Sequence, residues 1–368
     1  MIALRTHQLE AYAAWVTSGR KGTVKAVTAS GKTHIALKAI EDLNCAVIVL
    51  VPTIALQKQW QKTIKINLGI DCGLIGGGVW DVKKVTVCVV DSLRDKILST
   101  GLFILDECHR YPSRINYEVV KNATYEYILA LSATPEREDA RHLELFKIAP
   151  ICYEYNLKRA VKDGVISSFE ITPVGVDMEN KTAEQYKVLS NEIKARLRDY
   201  GYQLPTFQAS QGDYRAIKLM RLIAERRALL SNAAEKANFT ASLLKQVNKA
   251  IVFSESIESI EALAKQIDNY VMYHSEMNNM EKERAIEKFR LDDKCTMLSV
   301  KALDEGLDVP DCDTAIIMSG TNSMRQLKQR IGRVLRKSPG KFAKIYQLYL
   351  KGTKEESTVK RGSNSIIM

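Results

Sequence analysis

Three short stretches of this chain hold side chains whose types and spacing fit one reaction. Thr28-Ala29-Ser30-Gly31-Lys32-Thr33 follows a short apolar run and opens a helical pattern. In that setting backbone N–H groups at the helix start face anionic oxygens, and the helix dipole favours negative charge. Lys32 would reach β- and γ-phosphates, and the Thr33 hydroxyl would ligate Mg2+. The longer form of the pattern starts with Gly, where this chain has Ala26. Further on, Phe103-Ile104-Leu105 ends in Asp106-Glu107-Cys108-His109. Carboxylates at the C-terminal end of a strand suit a divalent cation, here on Asp106, and a general base for an attacking water, here Glu107. The third stretch is Gln329-Arg330-Ile331-Gly332-Arg333-Val334-Leu335-Arg336. That spacing arises by chance in about one chain in ten thousand of average composition, so it carries the most weight. Arg333 and Arg336 share a helix face, Ile331, Val334 and Leu335 mark a packed one, and Gln329 opens the run. Guanidinium groups spread the charge that develops on phosphate oxygens. The bland alternatives are a chance Gly-Lys-Thr, a solvated strand end and a basic surface helix. Taken in this order, the three stretches point instead to ATP hydrolysis with Mg2+.

The elements that must position these groups are legible from periodicity. Over residues 1–155 continuous apolar runs (Thr23–Val27, Ala46–Val51, Val85–Val90, Leu102–Leu105, Tyr127–Leu131) alternate with helical patterns (His7–Ser18, Gly31–Asp42, Ile54–Ile66). The same alternation returns after Lys249, with apolar runs at Lys249–Ser254, Tyr270–Tyr273, Thr296–Val300, Ala315–Met318 and Ile345–Tyr349, and the arginine stretch on a helix over Ser323–Leu335. Such alternation predicts parallel sheets covered on both faces. The expected architecture is α/β, with lobes at 1–155 and 246–352, a mostly helical connector or arm at 156–245, and a C-terminal helix and frayed tail at 353–368. Asn180–Tyr200 and Asp213–Leu244 read as long charged helices, either an arm or packed on the second lobe, and Thr353-Lys354-Glu355-Glu356 matches a capping box.

The formal charge is +11, and residues 321–368 hold twelve Lys/Arg against two Glu. A basic balance favours polyanions, although part of it belongs to the arginine stretch. Seven cysteines lack CxxC spacing, which predicts free, mostly buried thiols in a reducing compartment. Without a secretory pattern or a bilayer-length apolar run, no membrane role is expected and the location is cytoplasmic, or host cytoplasm for a phage-encoded chain.

The three stretches, in this order, resemble superfamily 2 helicases over almost the whole chain, and this implies tandem RecA-like domains. Leu4-Arg5-Thr6-His7-Gln8 is similar to the Q motif, which assigns adenine contact to Gln8 with Arg5 beside it. Val51-Pro52-Thr53 is similar to motif Ia, placing Pro52 and Thr53, and by the same resemblance Ser92, Ser254, His274 and Lys301, on nucleic acid. Ser132-Ala133-Thr134 matches the element that, with His109, couples nucleotide state to strand contacts, and in the run Lys301–Pro310 the resemblance brings Gly306 and Asp308 to the nucleotide. Ala29 stands where helicase loops commonly have Gly. Pro-Thr-x-x-Leu-x-x-Gln-Trp and Glu-Gly-Leu-Asp-Val-Pro are most similar to the XPB and phage UvsW-type branch, and Arg137-Glu138-Asp139 is similar to the RED element of XPB.

The resemblance implies a minimal ATP-driven motor, expected as a monomer acting on single-stranded, duplex or branched DNA. An RNA helicase and a nucleotide-gated clamp without turnover are the alternatives. The presence of Glu107 and Arg333 argues against the clamp, and a P-loop kinase would not need the second lobe. Trp15, Trp60 and Trp80 read as core or half-buried, and the Tyr200–Tyr202–Phe207 cluster as loop packing or a stacking surface.

Overall fold

The computed structural model describes residues 2–137, 139–300, 312–319 and 342–367. Lys301, Gly306, Asp308, Gln329, Arg333 and Arg336, the helix expected over Ser323–Leu335, and Glu138 lie outside the described residues. The described chain divides into two compact units at Ser167/Ser168.

In the first unit the strands are β1 (Lys21–Ala26), β2 (Val47–Val51), β3 (Gly73–Gly76), β4 (Val79–Asp81), β5 (Val85–Val89), β6 (Ser99–Asp106), β7 (Thr124–Ser132) and β8 (Ile151–Tyr155). They form one sheet in the order β4-β3-β5-β2-β6-β7-β1-β8, and only the β3–β4 pairing is antiparallel. The central strands are apolar on both faces because helices cover both, as for parallel sheets generally. Helices α1 (Thr6–Thr17), α2 (Lys32–Leu43) and α3 (Ile54–Leu68) precede or follow the strands that carry the motifs. Phe103, Leu105, Ile128, Ala130, Cys88 and Leu50 join one buried cluster. The Trp15 indole N–H donates to the Ile128 carbonyl at 2.9 Å, pinning α1 to β7. Because β7 lies between β1 and β6, its C-terminal end falls between the phosphate loop and the acidic box. The register sets Ser132 beside Lys25 and Leu131 beside Asp106.

The second unit holds β9 (Ser168–Val176), β10 (Ala250–Ser254), β11 (Tyr270–His274), β12 (Thr296–Val300), β13 (Thr314–Ile317) and β14 (Phe342–Leu350), ordered β11-β12-β10-β13-β14-β9 and parallel throughout. The stretch 156–245 is mostly helical, but it also contributes β9, where no strand was expected. Pro173 and Gly175 interrupt its apolar pattern, which is tolerable because, among the described residues, β9 pairs on one side, with β14. The charged helices in this stretch are Asn180–Leu197, Tyr214–Ser231 and Ala234–Leu244, broken at Asn232–Ala233. The last of them packs on the helix Ile257–Ala264 and places Ala237, Ala241 and Leu244 in the core of this unit. Trp80 departs from expectation as well: it is 57% exposed on β4.

The C-terminal helix Lys354–Ile367 begins at the expected box, shifted by one residue: the Glu355 N–H donates to Thr353 Oγ1 at 3.2 Å and the Gly352 N–H to Glu356 Oε2 at 2.9 Å. It is held by a buried ion pair. Lys236 is fully buried, its ammonium 2.7 Å from Glu355 Oε2, and that oxygen also accepts from the Leu350 N–H at 3.1 Å. Removing one partner strands a charge without solvent. Glu355→Ala is expected to cost roughly 3–5 kcal/mol of stability, read by denaturant unfolding, whereas the double apolar replacement Lys236→Met/Glu355→Leu costs far less. A Glu355→Ala loss below about 1 kcal/mol would contradict this.

Candidate nucleotide site and its surroundings

The phosphate loop runs from β1 into α2, with Thr28, Ala29, Gly31, Lys32 and Thr33 half-buried and Ser30 buried. Gly31, the N-cap of α2, sits at φ 79°, and Ala29 is left-handed as well at φ 66°. A Cβ in that region costs about 1–2 kcal/mol, so the alanine stores strain where a glycine would store none. The loop is braced from α1. His7 Nε2 lies 2.8 Å from the Ser30 carbonyl. Gln8 Nε2 donates to the carbonyls of Ser30 at 3.0 Å and Gly31 at 3.2 Å, while Gln8 Oε1 accepts from the Arg5 N–H at 2.9 Å. Gln8, expected at adenine, is thus a buried strut of the loop, and Arg5 is exposed beside it. Lys32 Nζ donates to the Ala26 carbonyl at 2.9 Å, folded back along its own loop.

The acidic box ends β6. Asp106 is buried with both oxygens held: Oδ2 accepts from the Trp60 indole at 2.7 Å and Oδ1 from the Glu107 N–H at 3.0 Å. Burial and the neighbouring Glu107 charge nevertheless push its pKa up to about 6, against the opposing pull of Trp60 and Lys32. Glu107 is left-handed, at φ 49° and ψ 50°, and its Oε2 is buried without a hydrogen-bond partner among the described residues. His109 Nδ1 approaches that oxygen at 3.5 Å and shares a 3.1 Å hydrogen bond with Ser132 Oγ. Ser132 Oγ in turn accepts from the Thr134 N–H at 3.1 Å. His109, Ser132 and Thr134 are therefore brought together, and Thr134 Oγ1 is buried without a partner among the described residues.

Side chains outside the expected set also support this box. Trp60, read as core packing, is the clamp on Asp106; the signal was its place on the helix that follows Thr53. The Tyr111 hydroxyl lies 2.7 Å from the Leu50 carbonyl and 2.8 Å from that of Asp106, tying β2 to β6. Arg137 donates to the His109 carbonyl at 3.0 Å and to Asp139 at 2.6 Å, and holds the Asp139 carboxyl well below its usual range.

The residues expected on nucleic acid separate into two groups. Pro52, Thr53 and Ser92 are half-buried at the C-terminal ends of β2 and β5, with Thr53 Oγ1 capping α3 by accepting from the Leu56 N–H at 3.3 Å. Ser254 requires correction. It is fully buried, and its hydroxyl is engaged by Ser259 and Ser319 at 3.0 Å each, so it holds the end of β10 together. His274 is half-buried at the end of β11.

No cluster of three or more His, Cys, Asp or Glu side chains able to hold a metal occurs among the described residues. The donor set here is of another kind: two adjacent carboxylates at a strand end and a hydroxyl at a helix start. The Asp106 carboxyl, raised by burial and by the neighbouring Glu107 charge, and a Glu107 oxygen without a hydrogen-bond partner among the described residues gather negative charge at the strand end, and this fits a hard divalent cation.

Two parallel α/β units with this site on the first define a tandem RecA-like helicase fold. Fold likeness is seen with the crystal structure of the Pyrococcus furiosus Hef helicase domain, at TM-score 0.64 and 17% identity over 97% of this chain and 98% of that one. The family description "Type III restriction enzyme, res subunit" matches residues 1–137 and "Helicase conserved C-terminal domain" residues 235–338. The chain is 32% identical over 96% of its length to DNA 3'-5' translocase XPB2 of Sulfurisphaera tokodaii, spanning 82% of that protein. It is 28% identical over 98% of its length to putative DNA 3'-5' helicase Rad25 of Haloarcula marismortui, of which it spans 54%. The chain belongs to the XPB family of superfamily 2 helicases.

The raised Asp106 carboxyl gives a signed expectation. Its folded pKa lies above that of the unfolded chain, so the folded form binds the extra proton and stability falls as pH rises through the interval up to about 6. In ligand-free protein, Asp106→Asn should raise the thermal midpoint at about pH 8 and gain progressively less toward about pH 4. Equal gains at both ends would mean the carboxyl titrates normally.

Proposed function

We propose that this chain is an ATP-dependent DNA helicase or translocase that couples hydrolysis at the Asp106–Glu107 box to movement along, or remodelling of, DNA. The observation that supports this best is the contact chain Glu107–His109–Ser132–Thr134. It joins the group that would activate water to the end of β7, beside the phosphate loop. Lys32 and the loop amides would hold the phosphates, and Asp106 and the Thr33 hydroxyl would hold Mg2+. When bound, the cation offsets charge building on the phosphate oxygens. Glu107 would orient the water and take its proton, with His109 beside its Oε2. Arg333 and Arg336, with Gln329, would supply the transition-state cation from the second unit, a contribution typically worth about 10³–10⁵ in turnover. Hydrolysis would then require the two units to meet, which ties ATP state to the grip on the strand. Thr134 Oγ1, buried and without a partner among the described residues, suits a group that changes partner between states, since an orphaned hydroxyl costs about 1–3 kcal/mol.

The relatives are named for DNA, which favours DNA over RNA as the track. A cytoplasmic, monomeric enzyme is the matching reading; no helix among the described residues is long and apolar enough to cross a membrane. Glu107→Gln and Arg333→Ala should each retain ATP binding while losing at least about 10²-fold in turnover. The measurement is ATPase rate and nucleotide affinity side by side, with single-stranded, duplex and branched DNA and with RNA as stimulants. Wild-type turnover in either variant, or stimulation by RNA alone, would overturn the assignment.

A further inference from the structure

We infer that Trp80 stacks on a base of the DNA strand held by the first unit, an assignment that rests on the proposed function. The indoles of Trp15 and Trp60 are buried and each donates to a partner inside the unit, whereas Trp80 is 57% exposed. It stands on β4, the edge strand of the sheet, with exposed Val79, Val82 and Ile97 in the same region of the chain. Lys96 Nζ lies 5.9 Å from its ring centroid.

The hairpin that carries Trp80 is fixed in place by its turn. Gly77 and Gly78 take φ 59° and 84°, which side chains other than glycine rarely adopt. A Cβ on Gly76 would come within 2.8 Å of Val89 Cγ2, and one on Gly77 within 3.2 Å of Ile54 Cδ1. The turn is therefore seated between the start of α3, directly after Thr53, and the end of β5, shortly before Ser92. Thr53 and Ser92 are the strand contacts proposed for this unit, and Trp80 follows the turn by two residues.

The local charge suits a polyanion. Helix α3 carries Lys58, Lys62 and Lys65 and no acidic residue; Lys65 pairs with Asp71, Lys83 with Asp81 and Lys84 with the Asn44 side chain, which leaves Lys58, Lys62 and Lys96 to meet a polyanion. An indole has one N–H to offer a phosphate but a large π-face to offer a base, and every base presents a matching face. The cation beside the ring adds attraction for the strand without demanding a sequence. A base of the bound strand, rather than an apolar protein partner, satisfies the aromatic face and the charge together.

The test uses the full chain with Trp80→Ala and Trp80→Phe, a thymidine oligonucleotide of about 20 residues, and the same length of abasic strand. Trp80→Ala is expected to weaken binding of the thymidine strand by about 5- to 150-fold, with Trp80→Phe recovering most of the loss. On the abasic strand wild type and Trp80→Ala should bind alike, and ATPase without DNA should stay unchanged. Unaltered thymidine binding in Trp80→Ala, or an equal loss on both strands, would overturn the stacking role while leaving the helicase reading intact. Failure of the wild-type chain to bind or respond to any DNA would instead overturn that reading and this inference with it.

Discussion

Two neighbouring carboxylates at the buried end of one strand set the terms for the nucleotide half of this molecule. Burial, and then the adjacent Glu107 charge, drives Asp106 toward its neutral form, and Glu107 keeps one oxygen without a hydrogen-bond partner among the described residues. The rest of the box can be read as management of that charge. Trp60 reaches from α3 to one Asp106 oxygen, the Glu107 amide turns back to the other, and Tyr111 locks the strand end to β2. The left-handed backbone at Glu107 brings the second carboxylate out of line with the strand and toward His109. A backbone strained at such a point persists only where the surroundings over-determine it. Across the sheet the phosphate loop shows a similar economy: Ala29 accepts a conformation that suits glycine, and His7 and Gln8 hold the carbonyls that follow.

Much of this was readable in the residues. The central strands announce themselves because both faces are buried, so Val47–Val51 and Val85–Val89 are continuous apolar runs. The three chemical stretches were visible because phosphate chemistry tolerates few substitutes for Lys, adjacent carboxylates and Arg. What escaped were edge elements. β9 carries Pro173 and Gly175, β8 is half-exposed, and the β3–β4 hairpin is too short for periodicity to register. Single side chains were harder still. Spacing alone cannot tell the Trp60 that clamps a carboxylate from the Trp80 that faces water, since that difference depends on which strand each one faces. Ser254 misled for the same reason: the family resemblance put it on nucleic acid, but two serines from neighbouring segments enclose it.

The helical stretch between the lobes gains a clearer identity from its packing. Its last helix lies in the core of the second unit, and Glu235 and Lys236, adjacent on that helix, anchor opposite things. Glu235 accepts the Glu179 N–H at the head of the charged helix Asn180–Leu197, and Lys236 holds the C-terminal helix. One turn of helix therefore registers two segments far apart in sequence against the same sheet.

The pairing of β9 with β14 has a consequence for how the chain is made. β9 closes one edge of the second sheet, yet its partner strand among the described residues follows it by 174 residues. A nascent chain emerging from the ribosome exposes that edge from the moment Val176 appears until Leu350 has followed, while the first unit already has its strands in hand. Contacts of such sequence separation form slowly, and unpaired strand edges invite association in the meantime. The strands of the first unit are thus all synthesised well before the second sheet can close, and chaperone demand should concentrate on the later half.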